Sequence, residues 1–314
     1  MNNNNFQRVR QALKKLFFQE GAINTRCIFD IIGGVEGIKP VSQIVVGQED
    51  LAKLKEFGEI TGLCVAASPF KLIATARTLE GSLILEATNA TDPPSEYIFV
   101  YISKDQSKID AVIPIDAQTN DQKTEAEHRT SGHLFGYPDC CIDNYIKSFR
   151  LEPLHVQIEN TPIVDSYYFY NNRFTALFNQ HNLIPEMYPC SFTCEKSAKF
   201  AQALLEGARK YFSDFPSEVT DFIKRPILII EQFAFQFLSY STDPEIFRYN
   251  PGEVSAAGIP PDIAEIVRSS NKVQIDNDNL IFYRSDTPTK EIPIKENPIK
   301  EGGARLFIFN SDIE

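Results

Sequence analysis

No run in this chain approaches 18 uninterrupted apolar residues, so no segment has the length and character of a membrane-spanning helix. The opening stretch MNNNNFQRVRQALKKLFF also lacks the basic, then apolar, then small-residue order of a secretory signal. These two absences predict a cytoplasmic protein with no membrane partner. Basic residues are in deficit, 31 against 42 acidic, and a net charge of -11 repels a phosphate backbone, which argues against nucleic acid as a general partner. Cysteine is scarce: six in 314 residues are too few for a disulfide scaffold, and a reducing compartment would keep most of them as thiols. The dinucleotide fingerprint, the P-loop, G-x-S-x-G and H-E-x-x-H are all missing. The DNDN stretch at 276–279 lacks the glycine and the distal glutamate of a calcium loop.

What is present is ordinary for a globular protein, with 43% hydrophobic and 23% charged residues. The length favours two domains or one domain with a large elaboration. Phe6, Val9, Leu13, Leu16 and Phe17 recur at helical spacing, with Arg8, Arg10, Lys14 and Lys15 on other faces, which predicts an amphipathic helix with a solvated basic side. From about 40 to 115, short β-rich runs (SQIVV, LCVAA, KLIATA, SLILEA, YIFVYIS, AVIPID) surround one helix, EDLAKLKEFGEI, ended by Gly62. Turn-length gaps between the runs favour antiparallel pairing. DIIGGVEGIKP reads as a glycine-rich loop with no nucleotide motif. DAQTNDQKTEAE, residues 116–127, holds no large apolar residue and reads as a linker or the first turns of a helix.

Helices are expected at about 121–134, 138–150, 162–182 and 192–212, and β structure returns beyond 226. There Phe233, Phe235 and Phe237 alternate, KVQIDNDNLIFYR reads as a hairpin turning at Asn277 and Asp278, and ARLFIF supplies a last strand. IPIKENPIKEGG, with its prolines, suits an extended connection. The resulting fold class is α+β. It has an N-terminal, mainly antiparallel domain (1–118), a mainly helical cysteine-bearing segment (119–225), and a β-rich C-terminal part (226–314) that completes a shared core.

The cysteines are unevenly placed. Cys27 and Cys64 are solitary, whereas Cys140 with Cys141 and Cys190 with Cys194 form two close pairs. In GYPDCC, Gly136 turns the chain, Pro138 suits the first helical position and Asp139 favours the positive helix end. In YPCSFTCEKSAKF, Pro189 precedes Cys190, and Ser191 or Thr193 offers a cap. Both pairs therefore sit at helix starts, where free amide hydrogens lower a thiol pKa and favour the metal-binding thiolate. Four thiolates from two helix starts satisfy a tetrahedral zinc site or an iron-sulfur cluster. An adjacent cysteine pair leaves no residue to relax a chelate on one ion, so the spacing favours iron-sulfur, with zinc as the alternative. Core filling by buried cysteines and a redox dithiol are the other readings.

His133 is a candidate ligand, acid or base, and His128, flanked by charges, reads as locally satisfied. Arg129 and Arg173 are candidate clamps for a carboxylate or phosphate of a small substrate. The pair HLFGYPDCCIDNY and YPCSFTCEKSAKFA resembles an uncharacterised prokaryotic family, domain of unknown function 483, with a histidine, G-Y-P-x-C-C, then P-C-S-x-x-C before a helix. The likeness covers mainly residues 125–210, with a weaker echo at GIKPVSQ, 37–43. It implies that the four cysteines form one site and implies no reaction. Taken together, the sequence predicts a metal- or cluster-binding protein acting on a small molecule, with His133 and Arg129 as its catalytic candidates. A zinc-stabilised scaffold without catalysis is the rival, and a dithiol redox protein the third possibility.

Overall fold

The computed structural model describes residues 3–77, 83–88, 97–151, 153–164, 166–172, 188–213, 215–231, 233–243, 246–255, 259–276 and 278–309. The predicted basic helix is α1 (Asn3–Phe18), which buries Val9, Leu13, Leu16 and Phe17. Then come α2 (Ile28–Glu36), β1 (Ser42–Gly47), and α3 (Leu51–Thr61), which ends on Gly62 in the left-handed region. β2 (Cys64–Ala67), β3 (Lys71–Arg77), β4 (Leu83–Thr88) and β5 (Tyr97–Ser103) follow. β5 lies between β1 and β2, antiparallel to both, while β3 pairs with β4.

Helices dominate the middle: α4 (Gln106–Asp116), α5 (Glu125–Leu134), α6 (Asp139–Ser148), α7 (Pro153–Glu159), α8 (Glu195–Tyr211) and α9 (Phe215–Ile223). The C-terminal region holds β6 (Ile227–Ile230), β7 (Phe233–Phe237), β8 (Tyr240–Asp243), β9 (Ile246–Tyr249) and β10 (Val254–Ser255). After these come α10 (Pro261–Arg268), β11 (Lys272–Asp276), β12 (Asn279–Arg284), β13 (Thr287–Pro293), α11 (Pro298–Glu301) and β14 (Ala304–Phe307). They build two further antiparallel sheets, ordered β10-β7-β6-β14 and β13-β12-β11-β9-β8. The architecture is mixed α+β, as the sequence predicts. None of the described helices is long and apolar enough to cross a membrane.

Four local expectations are corrected. AVIPID is not a strand but the second half of α4. The Asp105 carboxylate accepts from the Ser107 amide at 2.9 Å to cap that helix, and Ile109, Val112 and Ile115 share its buried face. A cap and a packed face here override the β preference of valine and isoleucine. Gly33 and Gly34 of DIIGGVEGIKP are likewise helical, and Gly37 ends that helix in the left-handed region: a Cβ on Gly33 would stand 2.8 Å from Lys39 Cγ and 3.0 Å from a Leu204 methyl, and one on Gly207 3.0 Å from Ile32. Glycine lets α2 and α8 approach closely and admits the buried Lys39, which pairs with buried Asp30. The helix expected over 162–182 is only a single 3-10 turn, Phe169–Asn171, in its described part, and 173–182 lies outside the described residues. Finally, the IPIKENPIKEGG connection contains the short helix α11, capped by the Asn297 side chain.

One cluster of buried side chains runs from Val9 and Leu13 of α1 through Ile102 of β5 and Leu204 of α8 to Ile229 of β6 and Phe309. A second lies under the five-stranded sheet, where Phe237, Phe247, Val273 and Phe282 meet. The cysteines gather in a separate, small cluster flanked by Tyr137 and Phe200.

Candidate metal centre and adjoining cavity

Two chain reversals bring the cysteines together. α5 opens with a capping box in which Thr124 and Glu127 satisfy each other's backbone amides. It closes with Gly136 at φ 80°, the Gly136 amide on the His133 carbonyl and the Tyr137 amide on the Gly132 carbonyl, the pattern of a Schellman ending. Pro138 then sits one residue ahead of its expected place, as the extended N-cap of α6, which leaves Cys140 and Cys141 in the first turn of that helix. The second pair lies on a tight loop ahead of α8, where Cys194 itself is the N-cap residue and the Ser191 and Thr193 hydroxyls pair with each other at 3.1 Å. Asn171 holds that loop from behind, its Nδ2 donating to the Phe192 and Cys194 carbonyls at 3.2 and 2.9 Å.

The four Sγ atoms lie within 4.8 Å of one another. Cys140 stands 4.0 Å from Cys141 and 3.7 Å from Cys194, and Cys141 stands 3.8 Å from Cys194. Cys141 and Cys194 are buried, the other two half-buried. Cys194 is drawn far below the usual thiol range by hydrogen bonds from Cys141 and Cys190, and the Ser197 amide adds to this. Cys141 is pushed up, because it donates to Cys190 and Cys194 and is buried. Both directions favour the thiolate on Cys194, at the N-cap of α8. Such a cluster can hold a metal ion, and it is the one His, Cys, Asp and Glu grouping of that kind among the described residues. Cys27 lies apart, its thiol directed at the Val45 carbonyl.

Cys141 also lines a cavity of about 270 Å³ between β1, β5, α5 and α6. Its polar end is built on Asp116, the last residue of α4, 6% exposed. The carboxylate accepts from Gln43 Nε2 at 2.5 Å, Tyr101 Oη at 3.1 Å and Lys123 Nζ at 3.2 Å. Burial raises the Asp116 pKa, with Lys123 opposing, and burial beside that carboxylate raises the Tyr101 pKa. His128 also lines the cavity, with Nε2 on the Asn120 carbonyl at 3.2 Å, so that nitrogen carries the hydrogen; burial lowers its pKa.

The two catalytic candidates stand elsewhere. His133 Nε2 meets the exposed Asp139 carboxylate at 2.7 Å, and Arg129 pairs with Asp143 at 2.6 Å and Glu125 at 3.2 Å. Neither is among the described residues lining the cavity. Arg173 lies outside the described residues. Sequence reasoning missed Asp116, Lys123 and Gln43. The first two belong to the polar stretch 116–127, which reads as a linker or the first turns of a helix and in which α5 does begin, and the signal available was an acid at the end of an apolar-faced segment.

The fold and site define an α+β protein with a four-cysteine centre beside a polar and aromatic cavity. Residues 96–214 match the family model described as Protein of unknown function (DUF483), the family that the two cysteine motifs resemble. The match takes in all four cysteines and the chain from β5 to the end of α8, and leaves out 37–43. No curated protein and no solved structure matches the chain.

Proposed function

We propose that Cys140, Cys141, Cys190 and Cys194 hold one tetrahedral zinc ion, which fastens the α5–α6 turn to the start of α8 and so steadies a small-molecule site. The carrying observation is the sulfur spacing. Four sulfurs about 2.3 Å from a central ion stand about 3.8 Å from one another; those of Cys140, Cys141 and Cys194 stand 3.7 to 4.0 Å apart, with that of Cys190 within 4.8 Å of each. Bridging sulfides hold the irons of a cluster apart, so thiolates on different irons stand farther from each other than thiolates sharing one ion. A set of sulfurs all within 4.8 Å favours the single ion.

Four thiolates leave zinc no open position, so its contribution is to hold the chain. Acid-base work then falls to Asp116 and His128 at the cavity, while His133, bonded to Asp139, and Arg129, bonded to Asp143, position the first turns of α6.

Anaerobic purification, elemental analysis and an absorption spectrum test this on the natural protein and on the Cys140→Ser, Cys190→Ser double variant. The expected result is about one zinc per chain and no colour, with the zinc lost in the variant. Iron with sulfide and a brown colour would replace the single ion by a cluster. A metal-free, folded protein would sink the metal reading and leave dithiol chemistry in its place.

A further inference from the structure

The cavity has three properties that together narrow what fills it. The first is charge. Asp116 and Lys123 are the charged side chains among its described lining, and they face each other at 3.2 Å. His128 spends its ring hydrogen on the Asn120 carbonyl and is buried among Tyr145 and Phe149. That pair cancels and the cysteine centre reached through Cys141 adds no positive charge, so neither a phosphate nor a polycarboxylate finds an uncommitted cation.

The second is shape. Phe99, Phe135, Tyr137, Tyr145 and Tyr188 contribute ring surface, which favours a flat guest with π-faces over a puckered one. The volume of about 270 Å³ lies at the lower edge of sites for drug-sized ligands, roughly 300–1,000 Å³, and suits one or two fused rings but not a dinucleotide.

The third is the hydrogen-bonding left at the polar end. Gln43 gives its amide nitrogen to Asp116, and Gln118 gives its own to Glu127 at 2.8 Å, so both keep their carbonyl oxygens as acceptors. The Asp116 carboxylate accepts three hydrogen bonds of the roughly four it can take. Lys123 donates one of three hydrogens to it. Adjacent acceptors and donors at the end of an aromatic slot complement the N–H and carbonyl edge of a ring.

We propose that this cavity binds an uncharged nitrogen heterocycle of the nucleobase class, its edge on Asp116, Gln43 and Lys123 and its faces against the aromatic wall. The proposal rests on the small-molecule part of the function proposed above and not on the identity of the metal. It is tested on full-length protein of measured metal content by calorimetric titration with adenine, guanine, hypoxanthine, cytosine and uracil. Indole, flat but lacking the edge, and inorganic phosphate serve as comparators.

At least one base binds, and indole and phosphate do not. Asp116→Asn, which keeps the shape of the carboxylate, weakens that base by about ten- to a hundredfold, the effect of losing a hydrogen bond to a charged group. Gln43→Leu, read beside it with circular dichroism to verify folding, weakens binding too. Absence of binding by every base, binding of phosphate or indole in their place, or unchanged affinity in a folded variant would overturn the proposal. A metal-free protein that still binds a base would overturn the zinc reading alone.

Discussion

Among single residues, burial decides which groups respond to pH near neutrality. His128 is 6% exposed and packs its ring 5.1 Å from that of Phe149 and 5.6 Å from that of Tyr145, so its charged form is disfavoured and its folded pKa falls below 6.5. The unfolded chain then takes up a proton first as pH drops, and stability declines from about pH 6.5 downward until the folded pKa is passed. Chemical denaturation between pH 7.5 and 5.5 should show that decline. In His128→Gln, whose amide can still donate to the Asn120 carbonyl, the slope should be shallower, with the similarly depressed His155 supplying the remainder. Equal slopes in both proteins would mean that His128 is not held neutral. The cysteines were legible in the sequence because proline, spacing and pairing mark them locally. Asp116, Lys123 and Gln43 were not, since only the tertiary fold buries a polar stretch and brings it against β1, whereas His128 is satisfied locally by the Asn120 carbonyl, as its sequence setting suggests.

At the level of elements, the α5–α6 turn sets the position of the first cysteine pair. Gly136 at φ 80° lies where a side chain is strained, and a Cβ there would stand 3.1 Å from the Ile38 carbonyl and 3.3 Å from Pro40. Gly136→Ala is therefore expected to lower stability by about 1–3 kcal/mol and to weaken retention of the proposed zinc against a chelator. Gly62→Ala, also left-handed but with open space around its Cβ, should destabilise less and leave zinc retention unchanged. An equal loss of zinc in both would show that general stability, not this turn, governs the centre. The same contrast explains which elements could be read. Helices with a cap, an apolar stripe and a terminal glycine were legible; α2 was not, because its glycines serve close packing, Gly33 against Lys39 and α8 and Gly34 against Ser42 of β1 and Ile102 of β5, reasons that exist only once those elements are in place.

Across the whole molecule, β14 reaches the cysteine loop through two buried side chains, Phe307, whose ring lies 5.2 Å from that of Phe192, and Arg305. Arg305 of β14 is 1% exposed and makes no ion pair among the described residues. It donates to the Glu296, Thr161 and Pro162 carbonyls at 2.7, 2.9 and 2.7 Å and to Tyr167 Oη at 2.9 Å. Thr161 in turn accepts the Phe192 amide at 2.8 Å through its hydroxyl, and Phe192 lies between Cys190 and Cys194. A guanidinium buried among neutral oxygens is retained only where many acceptors converge, and its removal strands those acceptors without donors. Arg305→Met keeps most of the volume but none of the bonds, and should lower stability by roughly 3–5 kcal/mol. Because the stranded carbonyls belong to the segment that props the cysteine loop, the variant should also release zinc to a chelator faster than the natural protein, although residue 305 touches no cysteine. Denaturation and chelator kinetics on the same preparation separate the two effects. A variant that loses stability but keeps the natural rate of release of the proposed zinc would show that Arg305 and the metal centre are independent, and the path through Thr161 and Phe192 would then carry no coupling.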